Sequence, residues 1–344
     1  MTRGAAQRRA FAHWNRKAPP ALSVALSVYN GADYLGAAIE SILAQTFTDY
    51  EFLILDDGST DASRAIAESY ARTDPRIRVI SRENRGLVAS LNQLLAEARA
   101  PLVARMDADD VCPPHRFAVQ MQFMADHPDY GMIGADCSCI DAEGREITGQ
   151  GIARPLSHEA ILGNLECGPT MLHNVVIYRR DVVLGLGGYR PAFVHAEDYD
   201  LWLRMSRVTR MENLAEPLVA YRVYAGQVSN RHAITQSRSA ALAWLSHCAV
   251  LEGRPDPAEG LDSLPADRDI DAVFGPGART FVHRRVVERS LYAPAALAGD
   301  GWPMLLEHAG SNGGDGKLWR LAGRMAKAGL PAHAGRLGIK LALG

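Results

Sequence analysis

Apolar positions in the first hundred residues recur at two alternating periods. Leu22-Ser23-Val24-Ala25-Leu26-Ser27-Val28 has the length of a strand, and Leu35, Ile39, Ile42 and Leu43 follow at the i, i+4, i+7, i+8 spacing of one helix face. Phe52-Leu53-Ile54-Leu55 predicts a short strand buried on both faces. A helix is expected over about Ala62 to Tyr70, and a strand at Ile77-Arg78-Val79-Ile80. Leu87, Leu91, Leu94 and Leu95 share a face of a helix over Leu87–Ala98, and Leu102 to Met106 reads as a fourth strand. Fully apolar strands alternating with helices predict a parallel sheet covered on both sides. In such sheets ligands bind beyond the carboxyl ends of the strands. The polar residues there are Tyr29-Asn30-Gly31, Asp56-Asp57-Gly58-Ser59, Arg82-Glu83-Asn84 and Asp107-Ala108-Asp109.

The alternation fades after Asp110. Residues 111 to 228 mix a helix at about Arg116 to Asp126 with short apolar runs and Gly-rich turns such as Gly185-Leu186-Gly187-Gly188. Composition shifts after Ser229: Ala233 to Leu251 predicts a helix, and the Pro/Asp/Gly-rich stretch from Gly253 to Gly277 reads as loop. This divides the chain into a basic, flexible arm (1–20), a catalytic domain (21–230) with halves at 21–110 and 111–230, and a mainly helical extension (231–344). In Lys317 to Leu330, Lys317, Arg320, Arg324 and Lys327 lie on one side of a helix wheel, and Leu318, Leu321 and Met325 on the adjoining side. That pattern suits an anionic membrane surface, and equally an ordinary surface helix.

Composition narrows the classes. Of 344 residues, 47% are hydrophobic and 22% charged, ordinary for a globular protein with a full core. A net charge of −2 gives no overall pull toward nucleic acid. No apolar run reaches membrane-spanning length, and the N-terminus lacks the apolar core of a secretory signal. Five scattered cysteines make no disulfide framework. Cys137-Ser138-Cys139 lacks a second Cys/His pair at metal-ligand spacing, so reduced thiols in a cytoplasmic protein are expected.

Three acidic motifs carry candidate chemistry. The Asp56-Asp57-Gly58-Ser59-Thr60-Asp61 loop either caps a helix or presents carboxylates to a base N–H or a ribose hydroxyl. Asp107, Asp109 and Asp110 crowd three carboxylates into four positions, where like charges roughly 4 Å apart repel by about 4 kcal/mol at an effective dielectric near 20. A hard divalent cation shared with a phosphate would offset that repulsion. Glu197 and Asp198 either satisfy the macrodipole of a helix beginning there or supply a general base.

Taken together, LSVYNGADYLGAAIESILAQTFTDYEFLILDDGSTDAS, NRGLVASLNQLLAEARAPLVARMDADDVCPPHRFAVQ, GGYRPAFVHAEDYDLWLR and YRVYAGQVS resemble the inverting family 2 glycosyltransferases. The wording is most similar to the bacterial branch that builds capsule, lipopolysaccharide and exopolysaccharide. The resemblance implies an α/β protein of GT-A fold: a Rossmann-like, nucleotide-binding, mostly parallel sheet flanked by helices, with a helical C-terminal extension. It implies that Asp57, with Asp56 beside it, holds the uracil or ribose of a nucleotide-sugar, with a UDP-sugar the expected donor. Tyr29 and Asn30 line the nucleotide pocket, with Arg82 and Asn84 near it. Asp107 touches the ribose, and Asp109 binds Mg²⁺ or Mn²⁺ on the diphosphate, with Asp110 in support. Asp198, supported by Glu197, is the base that deprotonates a hydroxyl of a lipid-linked or polysaccharide acceptor. Such an enzyme is cytoplasmic, and the membrane-surface reading of the basic C-terminal helix would add peripheral contact at the inner face of the plasma membrane. Two alternatives stay open, a polyprenyl-phosphate sugar synthase and a non-catalytic nucleotide-sugar-binding subunit. Where the family commonly reads Tyr-Arg-x-His, this chain has Tyr221-Arg222-Val223-Tyr224. A phenol ligates Mg²⁺ poorly at neutral pH. The expectation is therefore a weakly held cation on Asp109, phosphate and water, with Arg222 on the diphosphate.

Overall fold

The computed structural model describes residues 18–148, 154–224, 232–310 and 316–343. Residues 1–17 of the expected arm and Ala225–Ser229 of the last motif lie outside them. The described residues fall into two compact units, one within Met1–Tyr189 and Arg204–Tyr224, the other within Arg190–Leu203 and Ala225–Gly344.

The first unit is built on an eight-stranded sheet. β1 (Leu22–Val28), β2 (Tyr50–Asp56), β3 (Ile77–Ser81) and β4 (Leu102–Met106) run parallel in the order β3-β2-β1-β4. They are joined by helices α1 (Ala32–Leu43), α2 (Ser63–Ala71) and α3 (Leu87–Glu97). Every residue of β2 and β4 is buried, as strands covered on both faces must be. Leu35, Ile39 and Ile42 of α1 and Leu91, Leu94 and Leu95 of α3 are buried. Leu87, expected on that same face, is the first residue of α3 and is 41% exposed. Its turn extends past the edge of the packed surface.

Helix α4 (Arg116–Asp126) leads into the second half of the sheet: β5 (Tyr130–Ile140), β6 (Glu146–Ile147), β7 (Ile177–Arg179) and β8 (Arg210–Arg222). β7 is antiparallel to both β4 and β5, whereas β8 runs parallel to β5 with register shifts around Asp136. Parallel strands so far apart in sequence leave no local signal. The second unit is helical, from the helix Ala233–Leu251 to the last helix (Pro331–Leu343). Within the stretch read as loop, Ile270–Phe274 forms a short helix, because Ile270 and Phe274 are buried four positions apart. In the helix Gly316–Lys327, Leu318, Leu321 and Met325 are buried within the unit. The apolar side of the predicted wheel thus packs on protein, leaving its cationic side outward together with Trp319, which is exposed.

Candidate functional site

The expected polar residues converge where β1, β2, β3 and β4 end. Asn30 adopts a left-handed backbone (φ 52°). Its Oδ1 accepts from Thr60 N at 2.8 Å, and its N–H donates to Ser59 Oγ at 3.0 Å. Asn30 therefore latches the loop after β1 onto the loop after β2, while Tyr29 before it is 55% exposed. Asp56 accepts from Ser59 N (3.1 Å) and Ser81 Oγ (3.0 Å). Buried Asp57 accepts from Arg82 Nε (3.0 Å) and Arg85 N (3.1 Å) on Oδ1, and from Gly86 N (2.8 Å) on Oδ2. Its carboxylate thus shapes the β3–α3 loop, and at most one lone pair remains for a ligand. Gly58 lies at φ 79°, and a Cβ there would stand 2.6 Å from Asn84 N. These loops border an open cleft of about 480 Å³ lined by Asp56, Gly58, Ser59, Arg64, Arg82 and Asn84, among others.

Beyond β4, oxygens of Asp107, Asp109 and Asp110 lie within 4.8 Å of one another. The three are treated differently by their surroundings. Asp107 is 37% exposed and pairs with buried Arg105 at 2.6 Å. Asp109 accepts from the Tyr224 hydroxyl at 3.1 Å. Asp110 is buried, its Oδ1 accepting from Arg222 N (2.8 Å) and its Oδ2 from Asn174 Nδ2. Burial, and then the Asp107 charge, raises the pKa of Asp109. Burial and the charges of Asp107 and Asp109 push Asp110 up to about 8. Burial and Asp109 likewise raise the Tyr224 phenol, which keeps its proton and donates it.

Arg222, expected on the diphosphate, is buried and turned toward main chain. It donates to the carbonyls of Asp109 (2.7 Å), Asp141 (3.0 Å) and Ala142 (3.1 Å) and covers the Tyr34 ring at 4.4 Å. It braces the aspartate loop from behind. Sequence reading missed Asn174 and Tyr34 altogether. Asn174 lies 64 positions from Asp110, a separation that no periodicity reveals.

In the second unit, Glu197 and Asp198 open the helix Glu197–Met205. Glu197 is buried, and the partly exposed Asp198 accepts from Tyr199 N at 2.7 Å. Two residues on, buried Asp200 is clamped by Arg190, which also holds Asp256 at 2.8 Å. His195 has φ 64° and stacks on His232 with ring centroids 4.2 Å apart.

A family profile described as Glycosyl transferase family 2 matches residues 23–180. The amylovoran biosynthesis glycosyltransferase AmsE of Erwinia amylovora is 33% identical over 213 residues, covering 61% of this chain and 79% of AmsE. The chain belongs to glycosyltransferase family 2. Its fold is GT-A: S. aureus TarS (1–349), solved with UDP, superposes with a TM-score of 0.56 at 16% identity, over 94% of this chain and 91% of TarS. The mannosyltransferase PcManGT of Pyrobaculum calidifontis, solved with GDP-Man and Mn²⁺, gives 0.51 at 19% identity, over 98% and 93%.

For a family 2 glycosyltransferase the aspartate group is a fitting cation site. Its donors are all carboxylate oxygens, the set that suits Mg²⁺ or Mn²⁺ rather than a soft metal. Tyr224 stands where the family commonly has histidine, and its hydroxyl reaches Asp109 rather than lying apart from the cluster.

Proposed function

We propose that the protein transfers a sugar from a nucleoside-diphosphate sugar, a UDP-sugar first among candidates, to a hydroxyl of a lipid-linked or polysaccharide acceptor in surface-glycan synthesis. The observation that carries this reading is the pairing of a nucleotide-sized cleft with a three-carboxylate cluster on one rim of a parallel sheet. AmsE, named for amylovoran biosynthesis, supports the pathway class.

Asp56, Asp57, Asn30, Tyr29, Arg82 and Asn84 shape and line the nucleotide cleft, with Asp57 acting mainly through the loop it organises. Asp107 faces the ribose with the oxygen not taken by Arg105. Mg²⁺ or Mn²⁺ on Asp109, shared with the diphosphate, would supply the positive charge that favours departure of the nucleoside diphosphate. Arg222 and Asp110 hold the cluster's backbone in place. Asp198 takes the proton of the acceptor hydroxyl. The hydroxyl oxygen then bonds to the anomeric carbon as the bond to the diphosphate breaks on the opposite face, inverting the configuration.

The location proposed is cytoplasmic, at the inner face of the membrane. No helix among the described residues is long and apolar enough to span a bilayer. Residues 316–343 carry six Lys or Arg and no Asp or Glu. Each such cation near an anionic surface contributes about 1 kcal/mol, and with Leu318, Leu321 and Met325 packed inward, Trp319 and Ile339 are the large apolar side chains left exposed beside them; binding should be largely electrostatic and salt-sensitive.

A panel of nucleotide-sugars with Mn²⁺ tests the function. Absence of transfer or hydrolysis with every donor, together with no binding of UDP, GDP or dTDP, would overturn it.

A further inference from the structure

We propose that Arg105 is a positioning residue of the aspartate cluster, fixing the Asp107 carboxylate and setting how strongly the three acids attract a divalent cation. This rests on the reading of the cluster as a cation site.

Arg105 is locked in β4. It lies in register with Ala25 of β1 on one side, and its N–H donates to Val176 O at 2.9 Å on the other. Its neighbours Ala104 and Met106 point into the main core, so its side chain goes to the opposite face, where the fields of Tyr178 and Tyr189 reach it. The guanidinium is 2% exposed. It donates to Met106 O and, at 2.6 Å, to Asp107 Oδ1, and Asp107 is its one carboxylate partner among the described residues. Its buried Nε has no acceptor.

A buried cation with one partly exposed partner and an orphaned N–H costs stability rather than adding it. An apolar side chain of similar length would pack there more favourably. The guanidinium's effect is therefore sought at Asp107, and two consequences follow. The planar fork spans Met106 O and Asp107 Oδ1, pinning the carboxylate so that its other oxygen faces the ligand. A fixed positive charge also sits inside the cluster's field, weakening its pull on a dication.

Removing Arg105 should therefore move two readouts in opposite directions, which simple damage to the fold would not do. Mn²⁺ affinity without donor is measured by calorimetry, and donor KM at saturating Mn²⁺, for wild type, Arg105→Met and Arg105→Lys. Arg105→Met should bind Mn²⁺ about tenfold more tightly and show a donor KM raised about tenfold through the unpinned Asp107. Arg105→Lys keeps the charge and loses the fork, so Mn²⁺ affinity should stay within about twofold of wild type while donor KM still rises. Equal or weaker Mn²⁺ binding by a folded Arg105→Met overturns the inference and leaves the cation site intact. No Mn²⁺ binding by wild type overturns the cation site and this inference with it. If the methionine variant does not fold, the lysine variant decides: a raised KM supports the positioning role, and an unchanged KM overturns it.

Discussion

Mn²⁺ binding should depend steeply on pH, because of the buried Asp110. Burial and the charges of Asp107 and Asp109 raise its pKa from 3.8 to about 8. A group with a raised native pKa holds its proton more tightly when folded. Its contribution to stability is therefore greatest below about pH 4 and is lost as pH climbs through about 8. A dication on Asp109 leaves the burial but offsets the rise by its own charge, and so expels the proton. With a pKa of about 8, about 1% of Asp110 is ionised at pH 6 and half at pH 8, so apparent Mn²⁺ affinity should rise up to about 50-fold over that interval. Calorimetry in buffers of different ionisation enthalpy would show proton release approaching one per Mn²⁺ at pH 6 and shrinking above pH 8. The Mn²⁺-induced gain in melting temperature should likewise be larger at pH 8.5 than at pH 6. Affinity that is flat from pH 6 to 8, without proton release, would refute the argument, since the buried carboxyl would then already be ionised in the cation-free protein.

Other perturbations probe the remaining parts. Asp109→Asn should abolish measurable Mn²⁺ binding and lower transfer by at least about a hundredfold, while circular dichroism reports an unchanged fold. Tyr224→His replaces a protonated phenol by an imidazole that can ligate, and should tighten Mn²⁺ binding about tenfold in the same titration. Gly58→Ala forces a Cβ to within 2.6 Å of Asn84 N at a left-handed backbone position. It should lower stability by about 1–3 kcal/mol and weaken UDP binding, read by denaturant melts and thermal shift. Asp198→Asn should reduce kcat by about 10²–10⁴ with nucleotide binding retained if the acceptor is a hydroxyl; a loss of only a few-fold would point to a phosphate acceptor.

The first half of the sheet was legible because β1, β2 and β4 are near-continuous apolar runs, and fully covered parallel strands require such runs. Their topology alone put the acids on one rim. The second half was not. β8 carries Arg210, Glu212, Asn213, Glu216 and Pro217 among its apolar residues, and its pairing with β5 shifts register twice near Asp136. Neither a period of two nor a continuous apolar run survives there. The same distinction holds within the site. Asp107, Asp109 and Asp110 announce themselves by adjacency. The groups that decide how those acids behave come from afar: Asn174, Arg222 and Tyr224 reach the cluster across 64, 112 and 115 positions. A guanidinium in a phosphate-handling motif looks like a ligand contact, whereas Arg222 here donates to the carbonyls of Asp109 and Asp141.

The bond from Arg222 N to buried Asp110 bears on where this protein can be cut. The recognisable family segment ends at residue 180, yet the main-chain donor that satisfies Asp110 arrives more than forty residues later, at the end of β8. A fragment stopped at the segment's border would strand that carboxylate and leave the long β5 edge unpaired, inviting aggregation. The part of the chain that inheritance marks most clearly is thus smaller than the part that must fold together, and expression boundaries are better set beyond Tyr224.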